Sequence, residues 1–362
     1  MKICVVIHSL GIGGMERVMS LLIRHFSFYQ KAEIHLVLIG KERVIKYDLP
    51  NTVIVHRPKW EFNNKYRTLH TIRTLLFIKS TMNRIKPDTI LSFGEMWNNL
   101  VLLALKNKAF PVYISDRSTP NKNLGSVQNW LRDKMYPNAA GYIAQTEKAA
   151  HVARQNNWNN NIQIIGNPVP QINAGVPEGK QILTVGRLIK TKNVDRLIEI
   201  FDKARIELNT QDWKLCVLGG NAAGGSILEE LHKQVANKDL MKLVRLEGEK
   251  SNVLDYLKSS EIFAFASTSE GFPNALAEAM SAGLAVIAYD CMAGPSDLID
   301  NGVNGFLIPE GNEEEFKVKL MELMSNQSLR ASLGIAAKEK MKNFREDLLA
   351  ERFYKFISSA KS

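Results

Sequence analysis

The sequence predicts an α/β protein made of two parallel-sheet domains. Three observations carry that prediction. Strand-like apolar runs alternate with amphipathic helical stretches along the whole chain. The first run of each series leads straight into a glycine turn, Gly11-Ile12-Gly13-Gly14 in one and Gly186 in the other. A stretch rich in proline and glycine, from Asn167 to Gly179, separates the two series. The chain of 362 residues is long enough for two domains of ordinary size.

In order, residues 2–8 (KICVVIH) form a buried strand by their β-branched run, and the glycine loop follows at once. Met15 to Phe26 carries Val18, Leu21, Leu22 and Phe26 at helical spacing. Further strands are predicted at 34–39, 53–56, 89–93, 112–115, 142–145 and 162–165. Ligands of such sheets gather at the carboxyl ends of strands, which places Ser92 to Glu95 and Ser115 to Ser118 beside the glycine loop. Lys65 to Lys86 reads as a helix with Leu69, Ile72, Leu75, Leu76, Met82 and Ile85 as its apolar stripe and basic residues on its other sides. After the connecting stretch, strands are predicted at 182–185, 215–218, 244–246, 262–266, 285–288 and 306–308. Gly219-Gly220 and Gly224-Gly225 form a second glycine loop before a helix from Ile227, and residues 344–362 end the chain as an amphipathic helix.

Composition narrows the class. Hydrophobic residues make up 45% and charged residues 23%, the balance of a globular protein and not of a disordered one. Cys4, Cys216 and Cys291 are odd in number and widely spaced, which argues against a disulfide framework or a zinc site and for a reducing cytoplasm. The apolar run after Lys2 is too short for a signal peptide, and no window approaches the ~20 apolar residues of a membrane span. The net charge of +10 is uneven: residues 1–170 hold 23 Lys and Arg against 10 Asp and Glu, the remainder 24 against 27. The first half is therefore expected to meet an anionic surface or polymer, with membrane phospholipid and nucleic acid both candidates.

The chemistry-bearing stretch is Ser267 to Tyr289. A strand ends, Glu270 sits in a loop with Gly271 and Phe272, and Pro273 and Asn274 open a helix that stops at Gly283. The unpaired N–H groups near Asn274, Ala275 and Leu276 suit an anion, most naturally a phosphate. Glu270 and Glu278 flank that position and suit hydroxyls on either side of it, as a diphosphate with a sugar at each end would present. The plainer alternative is a helix-capping Glu270 and a solvated Glu278. Arg187 at a strand end, and Lys192 just before the next helix, add two cations; arginine grips phosphate bidentately and lysine adds a point charge.

Glu270 through Glu278 is similar to the E-x7-E motif of retaining glycosyltransferases, in particular family 4 with the GT-B fold. Gly186-Arg187-Leu188 to Lys192 resembles that family's GRL-x-x-x-K motif, Gly13-Gly14-Met15-Glu16-Arg17 its GG-x-ER start, and Asn167-Pro168-Val169 the segment ending its first domain. The resemblance implies an acceptor-binding domain over 1–169, a linker over 170–179 and a nucleotide-sugar domain over 180–343. It also implies a cleft between the domains and a terminal helix, 344–362, crossing back to the first. Glu270 would then contact donor-sugar hydroxyls and Glu278 the ribose, while Arg187 and Lys192 bind the diphosphate. Gly13, Gly14 and Gly186 would border it, with Gly248 near the nucleobase. Asp116-Arg117 stands where many relatives carry a His that touches donor sugar or acceptor, so that histidine's role is not carried over; the pair is read as an acceptor or sugar contact, with an internal salt bridge capping the strand as the alternative. The first half resembles bacterial transferases that add N-acetylhexosamine to undecaprenyl-diphosphate-linked sugars. By that likeness Arg67, Arg73 and Lys79 become acceptor contacts, with Glu16, and the protein a peripheral one on the inner face of the plasma membrane. A basic helix with a merely solvated face is the plainer reading.

The expected chemistry is retaining transfer of a hexosyl group from a UDP-linked donor to a lipid-linked saccharide. No cofactor is expected, and no metal, since no D-x-D pair is present. Two other classes were weighed. An NAD-type oxidoreductase would need a third loop glycine where Glu16 stands and an acidic residue where Gly40-Lys41 ends the second strand. A nucleic-acid-binding protein would need aromatics interleaved with the basic residues of 65–86 as a stacking platform, and none alternate there.

Overall fold

The computed structural model describes residues 1–359 except 12, 174, 176–178 and 223. The chain divides into two units, residues 1–168 together with those from 346 onward, and Val169–Arg345. Of the connecting stretch 170–179, residues 174 and 176–178 lie outside the described residues. Its start is not a free tether. Val169 and Ile172 are 1% and 5% exposed in the core of the second unit, and the Ile172 N–H donates to Ser281 Oγ at 3.1 Å.

The first unit is a seven-stranded sheet in the order β3-β2-β1-β4-β5-β6-β7. Its strands are β1 (Lys2–Ile7), β2 (Glu33–Leu38), β3 (Ile54–His56), β4 (Thr89–Phe93), β5 (Val112–Ser115), β6 (Gly141–Ala144) and β7 (Ile162–Ile164). The second is a six-stranded sheet in the order β10-β9-β8-β11-β12-β13. It comprises β8 (Gln181–Val185), β9 (Lys214–Leu218), β10 (Val244–Gly248), β11 (Ile262–Phe265), β12 (Ala285–Asp290) and β13 (Phe306–Pro309). Neighbouring strands pair in parallel throughout both sheets. Each lies where the sequence places a strand, with ends shifted by a residue or two. The runs are uniformly apolar because helices cover both faces of such sheets: Ile3 to Ile7 and Phe263 to Ala264 have no exposed surface.

In both sheets the order reverses at the centre, between β1 and β4 in one and between β8 and β11 in the other. The loops leaving those strand pairs diverge to opposite sides, which leaves an open crevice at their carboxyl ends. The terminal helix, Glu346–Ser358, belongs to the first unit. Phe353 packs on Phe93 and Phe356 on Tyr113, with ring centroids 6.2 and 5.1 Å apart. Gly141 accommodates it: a Cβ there would lie 2.7 Å from Phe356 Cζ.

The helix Arg67–Ile85 buries Met82 and Ile85 of the expected stripe but not its first half. His70, Thr74, Ile78, Thr81, Met82 and Ile85 face the unit, whereas Leu69, Ile72 and Leu76 are 49%, 50% and 60% exposed. Small side chains explain the rotation. The threonines allow close approach to the neighbouring helix Glu95–Leu105, and Thr74 satisfies its hydroxyl on the His70 carbonyl at 2.8 Å, so it is buried without a lost hydrogen bond.

Candidate functional site

In the second unit the crevice is built from backbone first. Three adjacent strands, β10, β9 and β8, end in or run into glycine: Gly248, Gly219 and Gly186. A Cβ on Gly219 would sit 1.8 Å from the Gly186 carbonyl oxygen, so this closeness requires glycine. Gly248 has φ +69 and open space beside it. The ledge is thus bare of side chains, as a phosphate approaching backbone needs.

Beyond Gly186 the chain turns through Lys190–Lys192 into the helix Val194–Glu207. Arg187 is exposed and its guanidinium has no hydrogen-bond or ion-pair partner among the described residues. Lys192 folds back instead. Its Cε would be 3.4 Å from a Cβ on Gly186, its ammonium lies 5.4 Å from the Phe265 ring centroid, and it donates to Glu270 Oε1. The Thr268 N–H bonds to the Thr191 carbonyl at 2.8 Å, tying the two loops together.

From Glu270 the loop passes Gly271 to Phe272, which is buried against Phe344, and Pro273 caps the helix Asn274–Ala282. Gly294 lets the next loop close on Pro273, since a Cβ would lie 2.2 Å from its Cδ. The helix start has no side-chain cap. The Asn274 N–H reaches the Phe272 carbonyl, while the Ala275 and Leu276 N–H groups find no acceptor among the described residues. Glu278 is half-buried in the following turn of the same helix. Lys192 and Glu270 therefore meet at the β8/β11 switch point, and the two loops that carry them also bring Arg187 and this helix start, a cation and a helix N-terminus that both favour an anion.

The first unit has its own crevice. Gly13 and Gly14 start the helix Gly14–Phe28, and Tyr47 Oη donates to the Gly13 carbonyl at 3.1 Å. Glu16 turns back to His8 Nε2 at 3.2 Å, and the His8 ring stacks on Trp97 at 5.8 Å and 6°. His8, Trp97, Lys41, Asn64, Arg67 and Gln128 line part of a cavity of about 590 Å³. Arg73 and Lys79 are exposed further along the Arg67–Ile85 helix and do not line it.

Asp116 and Arg117, just past the end of β5, do not pair with each other among the described residues. Asp116 accepts from Tyr136 Oη at 2.6 Å and Asn98 Nδ2 at 3.0 Å. Burial, with Glu95 nearby, pushes its carboxyl up to about 7. Arg117 lies 4.3 Å over the Phe93 ring and donates to Asn167 Oδ1 at 2.6 Å; burial brings its guanidinium down to about 9. Both are held inward by the fold, so the salt-bridge reading of the pair does not describe them. His8, Trp97 and Tyr136 were missed by motif reasoning. The position of His8 at the end of the first strand, beside the glycine loop, was the available signal for it.

An Asp116 carboxyl raised in the folded state contributes stability that is complete below the unfolded value near 3.9 and is lost as pH rises through about 7. Asp116→Asn should therefore flatten the fall in stability between pH 4 and 7, by up to ~1.4 kcal/mol per pH unit relative to the unmodified chain. Chemical denaturation of both proteins across that range measures it; parallel curves would show that Asp116 titrates normally.

Among the described residues, no cluster of three or more His, Cys, Asp or Glu could hold a metal ion. The sequence pattern of glycosyl transferases group 1 matches residues 170–340. The chain is similar to the N-acetylgalactosamine-N,N'-diacetylbacillosaminyl-diphospho-undecaprenol 4-alpha-N-acetylgalactosaminyltransferase of Campylobacter jejuni subsp. jejuni serotype O:2, 27% identical over 98% of this chain and 99% of that one. Its fold resembles that of the lipopolysaccharide outer core galactosyltransferase WaaB, with TM-score 0.81 and 21% identity over 99% and 100% of the two chains. It also resembles Anabaena HepE in complex with UDP, with TM-score 0.80 and 16% identity over 99% and 100%. The chain is a glycosyltransferase of the GT-B fold, and it is its second unit that resembles the glycosyl transferases group 1 family.

Proposed function

We propose that the chain transfers an N-acetylhexosamine from a UDP-linked donor to a lipid-diphosphate-linked saccharide in the synthesis of a bacterial surface glycan, with retention at the anomeric carbon and without a metal. The observation that carries this reading is the meeting of Arg187, Lys192, Glu270 and the uncapped Asn274–Ala282 helix at the β8/β11 switch point. The acceptor class follows the activity of the Campylobacter relative, and the nucleobase the UDP complex of the HepE fold neighbour.

In this reading Arg187, Lys192 and the Ala275 and Leu276 N–H groups hold the diphosphate. They stabilise the negative charge that grows on it as the sugar leaves. Glu270 accepts hydrogen bonds from sugar hydroxyls, and Glu278 from the ribose. The bond from the anomeric carbon to the phosphate oxygen breaks, and the bond to the acceptor oxygen forms on the same face. The acceptor's proton passes to the departing phosphate oxygen. Glu270 positions the donor and forms no covalent bond. In the first unit, the cavity lined by Trp97, His8 and Arg67 combines an aromatic wall with polar groups, a lining suited to a saccharide.

With UDP-N-acetylhexosamine and a lipid-diphosphate-linked acceptor, Glu270→Ala should lower turnover about a hundredfold or more. Arg187→Ala should raise the donor KM about tenfold, and EDTA should leave the rate of the unmodified chain unchanged. Wild-type kinetics in both variants would refute the donor-site assignment, and loss of activity with EDTA the metal-free reading.

The same proposal places the first unit on an anionic membrane surface and assigns no role to nucleic acid. The Arg67–Ile85 helix turns Leu69, Ile72 and Leu76 outward together with Arg73 and Lys79, a face that suits the headgroup boundary better than bulk water. No described helix is long and apolar enough to cross a membrane. Each basic residue near such a surface contributes about 1 kcal/mol. Arg73→Glu with Lys79→Glu should thus weaken binding to phosphatidylglycerol vesicles at least about tenfold. Equal binding to uncharged phosphatidylcholine vesicles would contradict this placement.

A further inference from the structure

We propose that the Lys192–Glu270 ion pair is a lock which makes the diphosphate site discriminate against a bare nucleotide and in favour of one carrying a sugar. The inference rests on the donor-site reading above and adds a specificity device to it. The two groups assigned to different parts of the donor are bonded to each other. Both are largely shielded, with side-chain exposures of 19% and 12%. Lys192 is confined by Gly186 beneath its stem and Phe265 beneath its ammonium. Glu270 has no other partner among the described residues. The Thr268–Thr191 backbone bond fixes the spacing of the two loops that carry them.

The consequence is an exchange of partners. A bare diphosphate can use Lys192 only by taking it from Glu270. That leaves a shielded carboxylate unpaired and close to two more negative groups, and breaking a buried pair from one side is strongly unfavourable. A sugar nucleotide performs the same exchange but supplies hydroxyls that donate to Glu270 as Lys192 leaves. Diphosphate and sugar recognition are thereby coupled, and the product nucleotide, which has lost its sugar, is bound less well than the donor. Arg187, free of partners, gives first contact with either ligand and does not contribute to the choice.

Calorimetric titration of the full chain with UDP and with UDP-N-acetylglucosamine tests this. The unmodified chain should bind the sugar nucleotide more tightly than UDP. Glu270→Gln, which keeps the shape of the side chain and removes its charge, should bind UDP at least about tenfold more tightly. It should gain little for the sugar nucleotide, so that the preference collapses. In a Lys192→Gln background the Glu270→Gln tightening should vanish, because no lysine remains to be freed. Unchanged or weaker UDP binding by Glu270→Gln would overturn the lock while leaving the donor site in place. Tightening that persists in the Lys192→Gln background would also overturn it, since simple repulsion between carboxylate and phosphate would then suffice. An unmodified chain that binds neither ligand would overturn the donor-site reading, and the lock with it.

Discussion

A parallel sheet whose crossovers leave its two central strands in opposite directions cannot fill the gap between the departing loops with its own chain. That gap is the constraint on which the second unit depends. At the β8/β11 boundary, one loop brings Arg187 and Lys192 and the other brings Glu270 and a helix start. The strands beside it end in glycines that leave backbone exposed. Had a larger residue stood at Gly219, β8 and β9 could not finish side by side. Had the helix at Asn274 carried a Ser or Asp cap, its N–H groups would have been satisfied internally and lost to a ligand. The phosphate-binding character follows from what these positions leave unfilled.

Much of this was legible in the sequence because it is local. A strand buried on both faces is a continuous apolar run, and all thirteen runs could be read without knowing their neighbours. Arg187, Lys192, Glu270 and the Pro273-Asn274 helix start each sit within a few residues of a strand end, so their approximate place followed from the alternation. Pairings across long separations were not legible. Lys192 and Glu270 are 78 residues apart and read as two independent ligand groups, yet they bond to each other. The stacking of His8 on Trp97 likewise joins the end of β1 to the helix that follows β4, which become neighbours only through the sheet order.

The Arg67–Ile85 helix shows why periodicity alone misplaces a face. Its leucines and isoleucines form a plausible stripe, but the side that carries the small Thr74 and Thr81 is the one that packs inward, with the Thr74 hydroxyl bonded within the helix. Leu69, Ile72 and Leu76 are left outside among cations, while Ile78, Met82 and Ile85 are buried. What reads in sequence as a core helix with a solvated basic face is in the structure a helix with a mixed apolar and basic outer surface. The Asp116-Arg117 pair teaches a related lesson: adjacent opposite charges suggest a bond, while Asp116 is held by Tyr136 and Asn98 and Arg117 by Asn167.

The central claim is that the β8/β11 switch point receives the donor diphosphate. Hydrogen exchange of the backbone, with and without saturating UDP-N-acetylglucosamine, tests it most directly because it reports location independently of turnover. The account predicts slowed exchange in residues 186–192 and in 270–276, with the Ala275 and Leu276 amides among the most protected. Protection absent from both segments, or confined to the glycine loop after β1, would contradict it.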